Sequence, residues 1–442
     1  MENEIFQETK VSKAYMRLSV PLVLSMVVTL IYNLADTFFV AQTNDTNIVA
    51  GVSLGMPLFT MLMAVGNIFG QGGSSLISRL LGQKDQAGVR HASAFCFYTT
   101  IFLGILIGAA MLLLRVPLLY VLGASEETFS HASSYYTYLA IGAPAIMLSF
   151  IHSNLLRSEG LSKESMAGTI LGAVVNIVLD PIFISVLGFG AGGAAVATVV
   201  GYLFSDVFFI LIVVRRSRIL SVSLKEIRVP ARHIGQILGI GIPAAIVNLT
   251  QSVSVVLVNQ FLLPFGNDKI AAMGIVLKVS MIALLLLTGF AFGGQPLFGY
   301  YFGAGDKKRL LELFRFCMRF ISILAVGLTA VILLLAPVLM RCFMDNDSIV
   351  ADGALMLRWQ VVTMLFVGVV LLMTIVFQSM GKVVGSFILS ISRQGVVFLI
   401  VLAVAYSTAG YMGIVVSQAI ADILTAGIAV ILFRKQLYPV FH

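Results

Sequence analysis

Charge disappears from this chain in long runs, and that one feature restricts the fold more than any other. Stretches of roughly 20 apolar residues recur along it, the length an α-helix needs to cross about 30 Å of hydrocarbon, and the weak alternation of outer-membrane strands is absent. Composition agrees: of 442 residues 59% are hydrophobic and 11% charged, and mean hydropathy is +1.02. The sequence predicts an all-α polytopic membrane protein. Twelve spans are expected, at about 16 to 41, 48 to 81, 91 to 114, 132 to 156, 164 to 187, 190 to 214, 233 to 263, 269 to 302, 309 to 339, 354 to 380, 383 to 407 and 410 to 433. The opening "MENEIFQETKVSKAYMR" is polar, and the apolar run after it has no small-residue cleavage site, so no signal peptide is expected and the first helix stays in the mature protein.

The net charge of +8 follows from topology. Of 28 Lys and Arg, four (Arg115, Lys269, Arg341 and Arg358) fall on one side of the membrane and two (Lys278 and Arg393) lie inside spans. The other 22 share the opposite side, which places both termini in the cytoplasm and removes the need for nucleic acid. The longest basic polar segment, "RRSRILSVSLKEIRVPARH", divides the chain nearly in half. "SVPLVLS" near residue 20 recurs as "GIPAAIV" near 242, "LLGQKD" at 80 to 85 as "YFGAGD" at 301 to 306, and "LRSEG" at 156 to 160 as "FQSMG" at 377 to 381. An N-terminal six-helix lobe over 1–214, a basic cytoplasmic linker over 215–232 and a pseudo-symmetric C-terminal six-helix lobe over 233–442 are therefore expected, as parallel repeats of the kind that support alternating access.

Among the acidic residues only Asp36, Asp180, Asp206 and Asp422 lie well inside a span. A central Asp costs about 2.5 to 3.5 kcal/mol to insert, so each needs a partner or a functional reason. Thr29, Tyr32, Asn33 and Asp36 form one polar stripe by helical spacing. In "VVNIVLDPIF" Asn176 and Asp180 stand one turn apart, and Pro181 cannot donate to the carbonyl of Ile177, leaving that oxygen for a cation or water. By helix rise, Asp36, Asp180 and Thr198 fall in the outer half of the bilayer with Asn176 near its middle, so they can converge. Two carboxylates in a dry pocket repel, and a proton or Na⁺ would relieve that repulsion. The competing reading is a satisfied structural network, Asp36 bonded to a nearby hydroxyl and Asp180 to Asn176. The second repeat has no equivalent: opposite "NIVLDP" stands "VVFLIVL". It holds Lys278, Arg393 and Asp422 instead, read as a buried ion pair with an accessory ion or substrate role behind it. Asp206 is open between a cytoplasmic-cavity group and a structural one.

Other constellations fail. "FGQGGSS" and "GFGAGGAA" lack a P-loop lysine and read as close helix packing. His91, His131, His152, His233 and His442 show no metal spacing, and no hydrolytic triad is present. Cys96, Cys317 and Cys342 read as packing residues. No enzyme, resident metal or cofactor is expected, and a transporter without ATP machinery draws on an ion gradient.

The quoted motifs, "SVPLVLS", "GSSLISRLLGQKD", "LRSEG", "NIVLDPIFI" and "GAGGAAVAT", in that order, resemble the multidrug and toxic compound extrusion (MATE) family over essentially the whole chain, in its DinF-like branch of MepA-like bacterial multidrug exporters. The resemblance implies a MATE/MOP-type fold in the bacterial cytoplasmic (inner) membrane, and outward transport of bulky, often cationic, amphipathic drugs and dyes in exchange for H⁺ or Na⁺. It implies a cation-coupling site at Asp36, Asn176, Asp180 and Thr198, where Na⁺ would sit if Na⁺ is the ion. Tyr32 and Asn33 are then supporting, and Asp206, Lys278, Arg393 and Asp422 accessory. Membrane lipid is the surrounding partner and a monomer is expected. Some branches add acids in the second lobe, but here the one candidate, Asp352, sits at an outer mouth. A lipid-linked precursor flippase of the same broad fold is the alternative; its pyrophosphate would call for several cavity cations, against four intramembrane acids here.

Overall fold

The computed structural model describes residues 5–8, 10–344 and 346–441, with the backbone alone for Leu249. The fold is all-α. In chain order the helices are α1 (Val11–Ala41), α2 (Thr46–Gly82), α3 (Gln86–Leu113), the short α4 (Arg115–Val121), α5 (Glu126–Ser158), α6 (Ser162–Pro181), α7 (Gly190–Arg215), α8 (Ala231–Leu262), α9 (Asn267–Gly293), α10 (Gln295–Gly303), α11 (Lys307–Arg341), α12 (Asp347–Val362), α13 (Met364–Ser379), α14 (Val383–Gln394), α15 (Val396–Leu432) and the short α16 (Tyr438–Phe441).

Several helices start earlier than their apolar runs. Asp45, Asp85, Ser125, Asp306 and Asn346 accept hydrogen bonds from first-turn amides of α2, α3, α5, α11 and α12, and these polar caps carry the helices beyond the hydrocarbon-length segment. Two caps display the repeat directly. Asp85 and Asp306 have φ/ψ of −83°/79° and −81°/78°, and before them Lys84 and Gly305 both take positive φ, 62° and 69°. Lys84 thus accepts a left-handed conformation that the second repeat gives to glycine.

Among the described residues, ten helical stretches are long and apolar enough to cross a membrane, or eleven if α12 and α13, bent by 44°, count as one span. The last stretch, Val383–Phe441, has 59 residues, about 88 Å if straight and far more than one crossing needs. It turns back at Gly410, which has φ 55° and ψ −126°. A Cβ on Gly413 would lie 1.9 Å from the carbonyl oxygen of Ala405, a separation impossible for residues eight apart in a straight helix. Nine single stretches, the bent pair and the two arms of 383–441 give twelve passes.

The chain forms two compact units. The first comprises the N-terminal residues through Gln7 and Val20–Gly241; the second comprises Glu8–Ser19 and Ile242–His442. In the first unit α2 lies on α5 through a line of glycines: a Cβ on Gly66 would meet Met147 O at 2.9 Å, and one on Gly70 would meet Phe150 O at 3.0 Å. The basic segment after α7 packs on this unit. Glu159 accepts from Ser217 Oγ at 2.5 Å and from the Arg218 amide at 3.0 Å, and Tyr98 donates to Val222 O at 2.8 Å. In the second unit Tyr15 donates to Phe290 O at 2.7 Å and packs edge-on against Phe316. Cys96 and Cys317 are buried, as packing residues are, whereas Cys342 is exposed at the end of α11. His152 is also buried deep in the first unit, between the rings of Phe97 and Phe209.

Candidate cation-coupling site

The site in the first unit is built from four helices. α1 supplies Tyr32 and Asp36 one turn apart, α5 supplies Tyr135, α6 supplies Asn176 and Asp180 one turn apart, and α7 supplies Thr198, Tyr202 and Asp206 at successive four-residue steps. Glycines set the approach of α6 to α7. A Cβ on Gly201 would stand 2.7 Å from Gly172 O and 3.1 Å from Asn176 Cβ, so the two backbones touch where the site begins. There the Asn176 amide, through Nδ2, donates to Thr198 Oγ1 at 3.4 Å and to Asp180 Oδ1 at 3.5 Å. Both bonds are long, and one amide serves two acceptors. Past Pro181 the helix widens into a π-turn over Ile182–Val186, and a Cβ on Gly193 of α7 would meet Phe183 O at 2.6 Å.

Asn176, Asp180 and Thr198 are buried, at 2%, 0% and 5% exposure. Their hydrogen bonding is incomplete. Asn176 Oδ1, Asp180 Oδ2 and Asp36 Oδ1 are buried oxygens with no hydrogen-bond partner among the described residues. Asp36 acts electrostatically on Asp180, Tyr32 and Tyr135, so the two carboxylates occupy one neighbourhood. A buried acceptor without a donor costs about 1–3 kcal/mol, more when charged. Protein donors that satisfied these oxygens would make the cluster purely structural. Left as they are, they can accept a proton or ligate a small hard cation.

The other expected residues divide. Tyr32 is buried beside Thr198 and Tyr202, while Asn33 is exposed and Thr29 Oγ1 donates to Ser25 O at 2.9 Å, so the four-residue stripe on α1 narrows to Tyr32 and Asp36. Helical spacing admits both positions 32 and 33 on one face, and the packing covers 32 and leaves 33 exposed. Asp206 is buried at 4% exposure beside the Ser149 side chain, and neither carboxylate oxygen has a well-formed hydrogen bond among the described residues. Tyr202 lies midway between it and Thr198 and packs on Phe59 and Phe150. In the second unit, Asp422 accepts from Arg393 Nε at 3.1 Å, Gln418 Nε2 at 3.0 Å and Thr363 Oγ1 at 3.1 Å. Lys278 does not join: it is exposed and makes no ion pair among the described residues. Asp352 forms an ion pair with Lys269, whose ammonium stands 5.0 Å from the Tyr411 ring centroid.

The sequence reading missed Tyr135, Tyr202, Thr363 and Gln418. Tyr202 and Gln418 had a signal, one turn from Asp206 and Asp422 respectively. Tyr135 and Thr363 reach their acids from other helices, which spacing does not reveal.

The MatE family profile matches residues 21–182 and 243–405, one match inside each unit. The chain belongs to the MatE family. This MatE protein is 31% identical to the multidrug export protein MepA of Staphylococcus saprophyticus over 435 residues, 98% of this chain and 96% of that one. It is 29% identical to MepA of Staphylococcus aureus over 421 residues, 95% and 93% of the two chains. A multidrug resistance MATE family transporter of the MOP superfamily, solved in an outward-facing conformation, matches the fold with TM-score 0.92 at 26% identity, covering 100% of this chain and 99% of that one. A MATE protein in complex with MaD3S matches at TM-score 0.93 and 26% identity, with the same coverage. With twelve apolar passes and this kinship, the MatE protein is a multi-pass membrane protein.

Proposed function

We propose that this MatE protein is a multidrug antiporter of the bacterial inner membrane, with both termini cytoplasmic, that exports bulky, often cationic and amphipathic compounds in exchange for H⁺ or Na⁺ held by Asp36, Asn176, Asp180 and Thr198. The observation that carries the reading is the group of buried acceptor oxygens on Asp36, Asn176 and Asp180 that no donor among the described residues satisfies. Kinship to proteins named for multidrug export supports the substrate class.

The mechanism follows from charge. With no ion bound, Asp36 and Asp180 repel across a poorly solvated space, and the long bonds from Asn176 do little to offset it. A proton on one carboxylate, or Na⁺ taking the free oxygens of the carboxylates and Asn176 with Thr198 Oγ1 beside them, relieves the repulsion and favours a different local packing. A cationic substrate is drawn to the same negative charge, so ion and drug oppose each other's binding, and that opposition makes exchange obligatory.

The test is efflux of a cationic dye from inverted vesicles under imposed proton and sodium gradients applied separately. Asp36→Asn and Asp180→Asn should each lower gradient-driven efflux at least tenfold, the effect of about 1.4 kcal/mol or more in coupling. Unchanged efflux in both variants would sink the assignment.

A further inference from the structure

The first unit buries a third carboxylate that the exchange described above leaves unused. Asp206 stands two turns past Thr198 on α7, about 12 Å further along the axis, and about 14 Å short of the end of the helix at Arg215. In the orientation proposed above it lies in the cytoplasmic half of the membrane, whereas helix rise puts Asp36 and Asp180 in the outer half. At 4% exposure it has Ser149 beside it, yet neither carboxylate oxygen makes a well-formed hydrogen bond among the described residues. A buried acceptor without a donor costs about 1–3 kcal/mol, more when charged, and a proton is the smallest ligand that removes the cost.

Tyrosine hydroxyls connect it to the coupling site. Tyr202 is one turn from Thr198 and one turn from Asp206 on the same face of α7, and it feels the charge of Asp206. Tyr32 lies beside Thr198 and within electrostatic reach of both Asp36 and Tyr202; Tyr135 is within reach of Asp36, Asp180 and Tyr202. Beyond Asp206 the line stops. Ile151, Leu155, Phe209 and Val213 are buried in one apolar cluster toward the cytoplasmic ends of α5 and α7. On α5 the next titratable group is His152, one turn past Ser149 and held between the rings of Phe97 and Phe209. α2 carries no charged residue before Arg79, and α6 none between Glu164 and Asp180. A hydroxyl can pass a proton on, accepting one on its oxygen while releasing its own, but it cannot pass Na⁺ in this way. We propose that Asp206 is an inner proton station of the antiporter, exchanging one proton with the Asp36–Asp180 site through Tyr32 and Tyr202. On arrival the Asp206 carboxylate becomes a carboxyl, the donor carboxyl becomes a carboxylate, and each hydroxyl between them keeps the one proton it began with. The apolar layer beyond holds the proton there until the unit repacks, so the relay does not leak. The inference rests on the exchange reading above and adds a residue to it.

The test reads the carboxyl directly. Infrared difference spectra of the full-length protein in lipid nanodiscs, recorded across a pH titration, show the C=O stretch of each protonated carboxyl. Asp206→Asn should remove a titrating band distinct from those removed by Asp36→Asn and Asp180→Asn. On transfer into heavy water the Asp206 band should shift about tenfold faster in the wild type than in Tyr202→Phe, the effect of losing one acid–base relay group. Tyr202→Phe keeps the ring that packs on Phe59 and Phe150 and removes the hydroxyl alone. No band lost in Asp206→Asn, or equal exchange in Tyr202→Phe and the wild type, overturns the station. Proton-driven dye transport in inverted vesicles is read beside it. Asp206→Asn should lower the maximal rate about tenfold and change the KM for dye less than about twofold, and Asp206→Glu, which keeps a carboxyl, should recover most of the rate. Asp206→Glu as slow as Asp206→Asn also overturns the station. Absence of proton-driven transport by the wild-type protein overturns the exchange reading instead, while the infrared spectra still decide whether Asp206 holds a proton that Tyr202 delivers.

Discussion

Replacing Gly201 with Ala tests whether the contact of α6 with α7 sets the proposed coupling site. The added methyl would lie 2.7 Å from Gly172 O and 3.1 Å from Asn176 Cβ. The first is about 0.7 Å inside ordinary contact at 3.4 Å, and because the obstructing atom is backbone, the helices themselves must part. A shift of that size carries Asn176 Nδ2 from 3.4 Å to about 4 Å from Thr198 Oγ1, out of hydrogen-bond range. The Asn176–Asp180 pair lies on one helix and is unaffected. Overpacking of this kind costs about 1–3 kcal/mol, against at most about 1 kcal/mol gained from alanine's helix propensity. Gly274→Ala supplies the reference, since nothing lies within 4 Å of a Cβ there and only the propensity gain remains. The assay is thermal melting of the purified protein across Na⁺ and pH titrations, with dye efflux alongside. Gly201→Ala should melt below the wild type, Gly274→Ala at or above it. Ion-dependent stabilisation should shrink in Gly201→Ala as affinity falls roughly tenfold, by mass action. If Gly201→Ala behaves like Gly274→Ala and keeps the full ion response, the contact does not position Asn176.

Two further outcomes follow. Burial lifts the Glu159 carboxyl above its ordinary 4.5, only partly opposed by the hydrogen bonds from Ser217 and Arg218. A raised folded-state value means the folded protein holds this proton more tightly than the unfolded chain, so the stability it contributes is present below about 4.5 and is lost as pH rises through the folded value. Melting temperature should therefore fall more steeply above pH 4.5 in the wild type than in Glu159→Gln; parallel curves would refute the account. In the second unit, Asp352→Asn breaks a partly exposed pair with Lys269 and should cost less than about 1 kcal/mol in stability with no change in gradient-driven efflux. Lost coupling in that variant would place a second coupling acid on α12.

How much of this was legible in the sequence depends on the range over which each signal acts. Apolar run length is local, so the passes and even the turn near Gly410 could be located from it, while the polar caps that extend α2, α3 and α5 past the runs could not. The spacing of Asn176 and Asp180 is also local, and the structure keeps them one turn apart. Thr198 was placed by its depth along the helix and by the family resemblance, and its contact with Asn176 exists because two glycines, Gly172 and Gly201, let separate helices touch. The failures have the same origin. Helical spacing allowed Asn33 and Tyr32 together on α1, but only the packing of α5 and α7 decides which of two adjacent positions is covered, and it covers Tyr32. Lys278 and Arg393 looked alike as cations within spans, yet one is exposed and the other is held by Asp422, because an ion pair between helices requires partners at matching depth on facing sides. Charge within a span could thus be recognised from sequence as needing an explanation, whereas the explanation itself lies in contacts between helices distant in the chain. The oxygens of Asp36, Asn176 and Asp180 that lack partners among the described residues are therefore where the proposed ion would complete what the fold does not.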